Sequence, residues 1–242
     1  MTLPEAQSGF RHFHEQLDTL KDRLMTMSER AEGLVDLAVD ALLKQDKDRA
    51  DAVIAGDREL DVLEVEIEQL AVSLLALQQP MARDLRFIIS AIKISSDLER
   101  VGDHAVNIAQ CALRLVAMRS TITREPEIED MARRSRQMLS DALDAFIRAD
   151  GLLGREVCKA DDQVDALMNS LFRILLTHMM ADARTINPSL ELLLVGRNLE
   201  RVADLATNIG EDAVFLAEGK QIKHRYEEYE RDRLTGAGSP TA

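Results

Sequence analysis

Apolar residues recur along this chain at intervals of three and four. Leu24, Met27, Ala31, Leu34, Val35, Ala38 and Leu42 fall on one stripe of a 3.6-residue helix. The pattern predicts a first helix over Phe10 to Lys44. A polar QDKDRA patch then opens a second, ending near Gln78, and a third runs from about Met81 to Met118. Within the TITREPEIE segment, Thr123 or Glu125 stands near the next N-cap and Pro126 in the first turn. The plan then repeats, with helices near Ile128 to Ala149, Leu152 to Met180 and Asn187 to Ala217. Pro80, Pro126 and Pro188 fall between the periodic stretches, and Pro4 and Pro240 lie in the tails. No stretch alternates with the period of a strand. The fold class expected is all-α: six long antiparallel helices, arranged as two similar three-helix bundles related by pseudo-two-fold symmetry. The first bundle spans 8–120 and the second 121–219. The tail, 220–242, ends in Gly, Ser and Pro and is expected to be partly disordered.

Composition narrows the classes of partner. Hydrophobic residues make up 46% of the chain but aromatics only 3%, so the core is built of Leu, Ile, Val and Ala, with Met as filler. A net charge of −13 disfavours non-specific binding to nucleic acid or anionic lipid and suits cations or basic protein surfaces. Cys111 and Cys158 lack any metal or redox spacing and read as reduced, half-buried thiols. The opening MTLPEAQSGF has neither the basic nor the apolar region of a secretory signal. The longest apolar runs, such as Leu190 to Val195, are too short to span a bilayer. A cytoplasmic protein is expected.

One segment occurs twice. DLERVGDHAVNIAQCALRL, residues 97–115, and NLERVADLATNIGEDAVFL, residues 198–216, are identical at ten of nineteen positions. Glu99, Asp103 and Asn107 are spaced four apart, as are Glu200, Asp204 and Asn208, so each trio projects from one helical stripe. Like charges at that spacing cost a helix a few tenths of a kcal/mol. The preceding helix of each half carries its own pair, Asp57 with Asp61 and Asp161 with Asp165. In an antiparallel hairpin, facing residues share a midpoint. Asp61 with Glu99 and Asp57 with Asp103 both give 80; Asp165 with Glu200 and Asp161 with Asp204 both give 182.5. Four carboxylates therefore come level across each hairpin. Asp36 and Asp40 share the spacing without such a mate and read as solvated surface.

Clustered carboxylates with an amide oxygen form a hard oxygen-donor site. It suits Mg²⁺, Ca²⁺, Mn²⁺ or iron better than a structural zinc, which favours Cys and His. The expected metal residues are Asp57, Asp61, Glu99, Asp103 and Asn107 in one half, and Asp161, Asp165, Glu200, Asp204 and Asn208 in the other. The ions expected are divalent or trivalent: iron, manganese, magnesium or zinc.

With these motifs in place, the chain resembles the PhoU family over about residues 10–217. The resemblance is carried by LERVGDHAVNIA and LERVADLATNIG and the acidic helices before them. It implies a cytoplasmic, often dimeric, all-helical protein that binds metal clusters through its acidic motifs. It also implies a negative regulator of the phosphate-starvation response, acting between a phosphate ABC transporter and a sensor histidine kinase. The partners implied are the transporter's ATPase subunit and that kinase, with contact to the membrane only through them. Glu99, Asp103, Glu200 and Asp204 match the family's motif, and Asp57, Asp61, Asp161 and Asp165 its partner acids. The second repeat departs in Leu205 for His104 and Ala203 for Gly102.

Two alternatives are a purely structural helical adaptor with solvated acidic faces, and a carboxylate-bridged di-metal enzyme. The enzyme class needs Glu-x-x-His pairs. None of His12, His14, His104, His178 and His224 has Glu three residues before it. His104 points about 100° away from Asp103 around the helix and reads as a packing or surface residue rather than a ligand. Neither a P-loop nor a dinucleotide turn is present, and no catalytic residue is assigned. Arg83, Arg86 and Lys93 open the third helix; solvated arginines explain the first two better than an anion site does.

Overall fold

A computed structural model of the chain describes residues 3–78, 80–119 and 125–222. Its helices are α1 (Leu3–Lys44), α2 (Lys47–Gly56), α3 (Arg58–Gln78), α4 (Ala82–Ala117), α5 (Pro126–Arg148), α6 (Gly151–Ala181) and α7 (Ile186–Glu218). A 3₁₀ turn, Ala183–Thr185, joins α6 to α7. Among the described residues there is no strand. Most of the predicted boundaries hold to within a few residues. The tail beyond Ile222 lies outside the described residues.

Both halves leave their first helix by the same device. Gln45 and Ala149 take the left-handed conformation, with φ of 53° and 51°. The next residues, Asp46 and Asp150, return a backbone hydrogen bond to Ala41 and Ala145 at 2.9 and 2.8 Å. Each aspartate then caps the following helix: Asp46 accepts from the Arg49 N–H, and Asp150 from the Leu152 and Leu153 N–H groups. Glu125 occupies the N-cap of α5 with Pro126 at the first helical position.

The expected second helix is interrupted at Asp57. The break is slight, because Asp57 keeps helical angles and its N–H still bonds Val53 O at 3.2 Å. Its cause is local. Gly56 is a poor helix former, and the equivalent residue in the unbroken α6 is Ala160.

Helices α1, α3 and α4, with α2, pack as one bundle, and α5, α6 and α7 as the other. Between bundles, equivalent helices meet: α4 lies on α7 and α1 on α5. The α4–α7 register follows from its contacts. His104 pairs with Asn198 and Ser90 with Asp212, and both pairs share the midpoint 151. The two copies of the repeat are offset by 101 residues, so the pseudo-two-fold axis passes beside Val101 and Val202. Both valines are fully buried. Phe87 of α4 stacks on Phe146 of α5 at 4.9 Å, and Arg136 of α5 reaches Asp36 of α1 at 2.7 Å. Asp40 pairs with Lys44 and Arg49, so the stray Asp36/Asp40 pair is surface ion pairing.

Helices α6 and α7 cross closely at Gly154 and Gly210. A Cβ on Gly154 would stand 2.6 Å from the Gly210 carbonyl oxygen, and one on Gly210 would stand 2.9 Å from that of Gly154. Backbone atoms cannot swing aside, so Gly154→Ala must push the helices apart. It is expected to cost about 1–3 kcal/mol, the usual range for overpacking. Gly33→Ala, exposed in mid-helix with open space around it, is expected to gain up to about 1 kcal/mol. Urea unfolding of the two variants should therefore shift in opposite directions. A Gly154→Ala midpoint at or above wild type would contradict the tight crossing.

Candidate metal centres on the two hairpins

Each hairpin presents its acids where two helices are held together by the core beneath them. In the first half Leu60, Leu98 and Val101 are fully buried under the acidic face. Asp57, at the α2–α3 break, lies directly over Gly102 of α4. A Cβ at Gly102 would come within 2.6 Å of Asp57 Oδ1 and 2.4 Å of Leu60 Cδ1. The glycine thus lets the first acid of the pair lean onto the helix that carries the second. The second half has Ala203 at this place, so the two faces are not identical in shape.

The carboxylates expected to face one another do so electrostatically. Burial, then the charges of Asp103 and Asp61, hold Asp57 above the ordinary carboxylate range. Glu99 is pushed up to about 6 by burial first, then by Asp103, Glu64, Asp61 and Asp57. In the second half burial raises Asp161 to about 7, helped by Asp204, Asp165, Asp162 and Glu200. Asp165 is also raised, by burial and then by Glu200 and Asp204, with Arg197 pulling the other way. Hairpin register alone had brought these eight acids together. It missed Glu64 and Asp162, which join the two clusters. Glu64 was legible in principle, since it stands seven residues from Asp57 on the same stripe. Asn107 is exposed and Asn208 half-buried, one turn beyond the acids; their amide oxygens rest on helical spacing alone.

The donor chemistry fits a hard cation. Each face offers several carboxylates from two helices, where burial and the neighbouring charges raise the proton affinity of Asp57 and Glu99 in one half and of Asp161 and Asp165 in the other, and a cation relieves the same repulsion. Among the described residues, no three His, Cys, Asp or Glu side chains already converge as a finished cage. Binding would therefore require rotation of exposed acids such as Asp61, Asp103 and Asp165.

Other conspicuous groups have structural roles. His104 is half-buried, and its Nδ1 lies 2.9 Å from Asn198 Oδ1 across the bundle interface. Because Asn198 Nδ2 donates to Leu194 O at 2.7 Å, its Oδ1 is the acceptor and His104 carries its proton on Nδ1. Burial pushes the Cys111 and Cys158 thiols up to about 12, leaving both unreactive. Arg86 donates to Leu216 O at 3.5 Å. Arg83 lines a cavity of about 310 Å³ with His14, Lys21, Asp84 and Phe87.

The raised acids predict a pH dependence. In the unfolded chain these groups titrate near 4. Folding raises Glu99 to about 6 and Asp161 to about 7, so the folded state holds their protons more tightly. Their ionisation opposes folding in full above pH 7, and the cost is relieved as pH falls through the folded values toward 4. After chelator treatment, the melting temperature should be higher at pH 5 than at pH 8, with Asp161→Asn shrinking the difference. A wild-type curve that is flat or rises with pH would refute the assignment.

Known proteins place this arrangement in a family. The PhoU domain matches residues 24–112 and 128–213, one match on each bundle. The phosphate-specific transport system accessory protein PhoU homolog of Caulobacter vibrioides is 42% identical over 214 residues, spanning 88% of this chain and 92% of the relative. The Aquifex aeolicus protein of the same description is 39% identical, over 88% of this chain and 96% of its own. The crystal structure of PhoU from Pseudomonas aeruginosa superposes with a TM-score of 0.82 at 35% identity, covering 86% of this chain and 100% of that one. That of the phosphate transport system regulatory protein PhoU from Streptococcus pneumoniae gives 0.80 at 30% identity, covering 87% and 99%. The chain, with two three-helix repeats and an acidic hairpin in each, belongs to the PhoU family.

Proposed function

We propose that this protein is an accessory regulator of a phosphate-specific transport system, one that binds hard cations on its two acidic hairpins. It restrains the phosphate-starvation response, acting between the transporter's ATPase subunit and a sensor histidine kinase. The observation that carries this reading is the duplicated acidic hairpin, set in a chain that aligns over 88% of its length with phosphate-transport accessory proteins. It works on the cytoplasmic side and reaches the membrane only through its partners. No helix among the described residues is long and apolar enough to cross a bilayer, and a charge of −13 repels anionic lipid. It is a homodimer. Exposed apolar side chains at the hairpin tips supply surface for association, Leu77 and Met81 on one hairpin and Met180 and Ile186 on the other.

Bound cations, whether manganese, iron, magnesium or zinc, would cancel repulsion between the acids and bridge the helices that carry them. Asp57, Asp61, Glu99 and Asp103 would hold them in the first half; Asp161, Asp165, Glu200 and Asp204 would do so in the second. The core beneath keeps each pair of helices in register whether or not the site is filled, so the chain folds as a scaffold and the cation adjusts its surface charge. That surface is what a basic patch on a partner would meet.

Two measurements test this reading. In phosphate-rich medium, deletion of the gene should raise an alkaline phosphatase reporter and the wild-type gene should silence it. A well-expressed variant with Asp57, Asp61, Glu99 and Asp103 changed to Ala should not. A silent reporter in the deletion strain would end the regulatory reading; silencing by the variant would end the role of the first acidic face. In vitro, Mn²⁺ should stabilise the chelator-treated protein by about 2.7 kcal/mol for each site at which it stands at a hundred times the dissociation constant. An unchanged melting temperature would leave a helical adaptor without metal.

A further inference from the structure

The two acidic hairpins carry matching acids but different neighbours. Where α4 has Ser96, Asp97 and Arg100, α7 has Arg197, Asn198 and Arg201. In α4, Arg100 stands between an acid three residues before it and another three residues after. It turns back to Asp97, at 3.6 Å and away from the hairpin acids. In α7 the earlier position is the neutral Asn198, whose amide oxygen already receives the His104 bond. Arg201 therefore turns forward to Asp204, at 2.9 Å. Arg197, standing in place of Ser96, takes Glu200 at 2.7 Å.

Both motif acids of α7 thus hold an arginine. Among the described residues, Glu99 and Asp103 of α4 hold none. The arginines are largely exposed, at 63% and 65%, so each pair adds little to stability. Each nevertheless occupies a carboxylate oxygen and places a positive charge beside the acids. A cation entering the α6–α7 face competes with two guanidinium groups for those oxygens and works against their charge. One entering the α3–α4 face meets no such competitor.

We infer that the two faces take up hard cations unequally: the α3–α4 face fills first, the α6–α7 face fills at higher concentration, and Arg197 and Arg201 set the gap. The inference rests on the proposed reading of both faces as cation sites. It makes the second face the one that responds to changing cation supply, while the first stays filled.

The test is a Mn²⁺ titration of the chelator-treated full chain, with free Mn²⁺ read by its electron paramagnetic resonance signal. Two classes of site are expected, about tenfold apart. Asp57→Asn with Asp61→Asn should remove the tighter class, and Asp161→Asn with Asp165→Asn the weaker. Arg197→Ser with Arg201→Ala should tighten the weaker class about three- to tenfold and leave the tighter one in place; circular dichroism and melting check that the fold is kept. A single class shared equally by both halves would overturn the inference while keeping the cation sites. So would loss of the tighter class with Asp161 and Asp165, or an arginine variant whose weaker class does not move. A wild-type chain that binds no Mn²⁺ would overturn the cation reading and this inference together.

Discussion

The antiparallel packing of α4 on α7 is the constraint on which the rest of the structure depends. Each of these helices is the last of its repeat, and each must bury two stripes, one inside its own bundle and one against its counterpart. The seam around Val101 and Val202 is fully buried. A buried aliphatic side chain contributes about 1.5–3 kcal/mol relative to exposure, and here every such residue works for both repeats at once. Polar contacts at the seam, His104 with Asn198 and Arg114 with Glu191 at 2.9 Å, fix the register that apolar packing alone would leave loose.

That seam also decides what the opposite faces of α4 and α7 are free to carry. With both apolar stripes spent on packing, the remaining stripe of each helix lies beside α3 or α6 and in partial contact with water. Acids placed there are dry enough to be perturbed and wet enough to exchange a ligand. The helices are already joined by the core, so burial of these acids, and after it repulsion among them, appears as a raised proton affinity rather than as separation of the hairpin. The strain is local, and it is a natural handle for a cation.

Duplication gave two such faces, and divergence at their rims made them different. The acids that would contact a cation are retained almost one for one, while Ser96 against Arg197 and Asp97 against Asn198 alter who competes for them. Gly102 against Ala203 alters how closely the opposing acid can lean in. A symmetric fold therefore carries two sites with unequal surroundings.

Much of this was legible in the sequence. Period, punctuation by proline and the near-copy of residues 97–115 at 198–216 determine an all-α duplicated fold, because helical amphipathicity is a local property of the chain. Hairpin register paired Asp61 with Glu99 and Asp165 with Glu200, because an antiparallel turn converts sequence spacing directly into level in space. Other features depended on neighbours far away in sequence. Glu64 and Asp162 joined the clusters, Gly56 interrupted a helix that its counterpart Ala160 continues, and Gln45 and Ala149 turned left-handed without being glycine. The partner chosen by Arg201 depends on an asparagine held by a histidine 94 positions away. Burial, which sets proton affinity, and competition among side chains, which sets ion pairing, are sums over everything nearby in space. Only the folded chain brings those neighbours together.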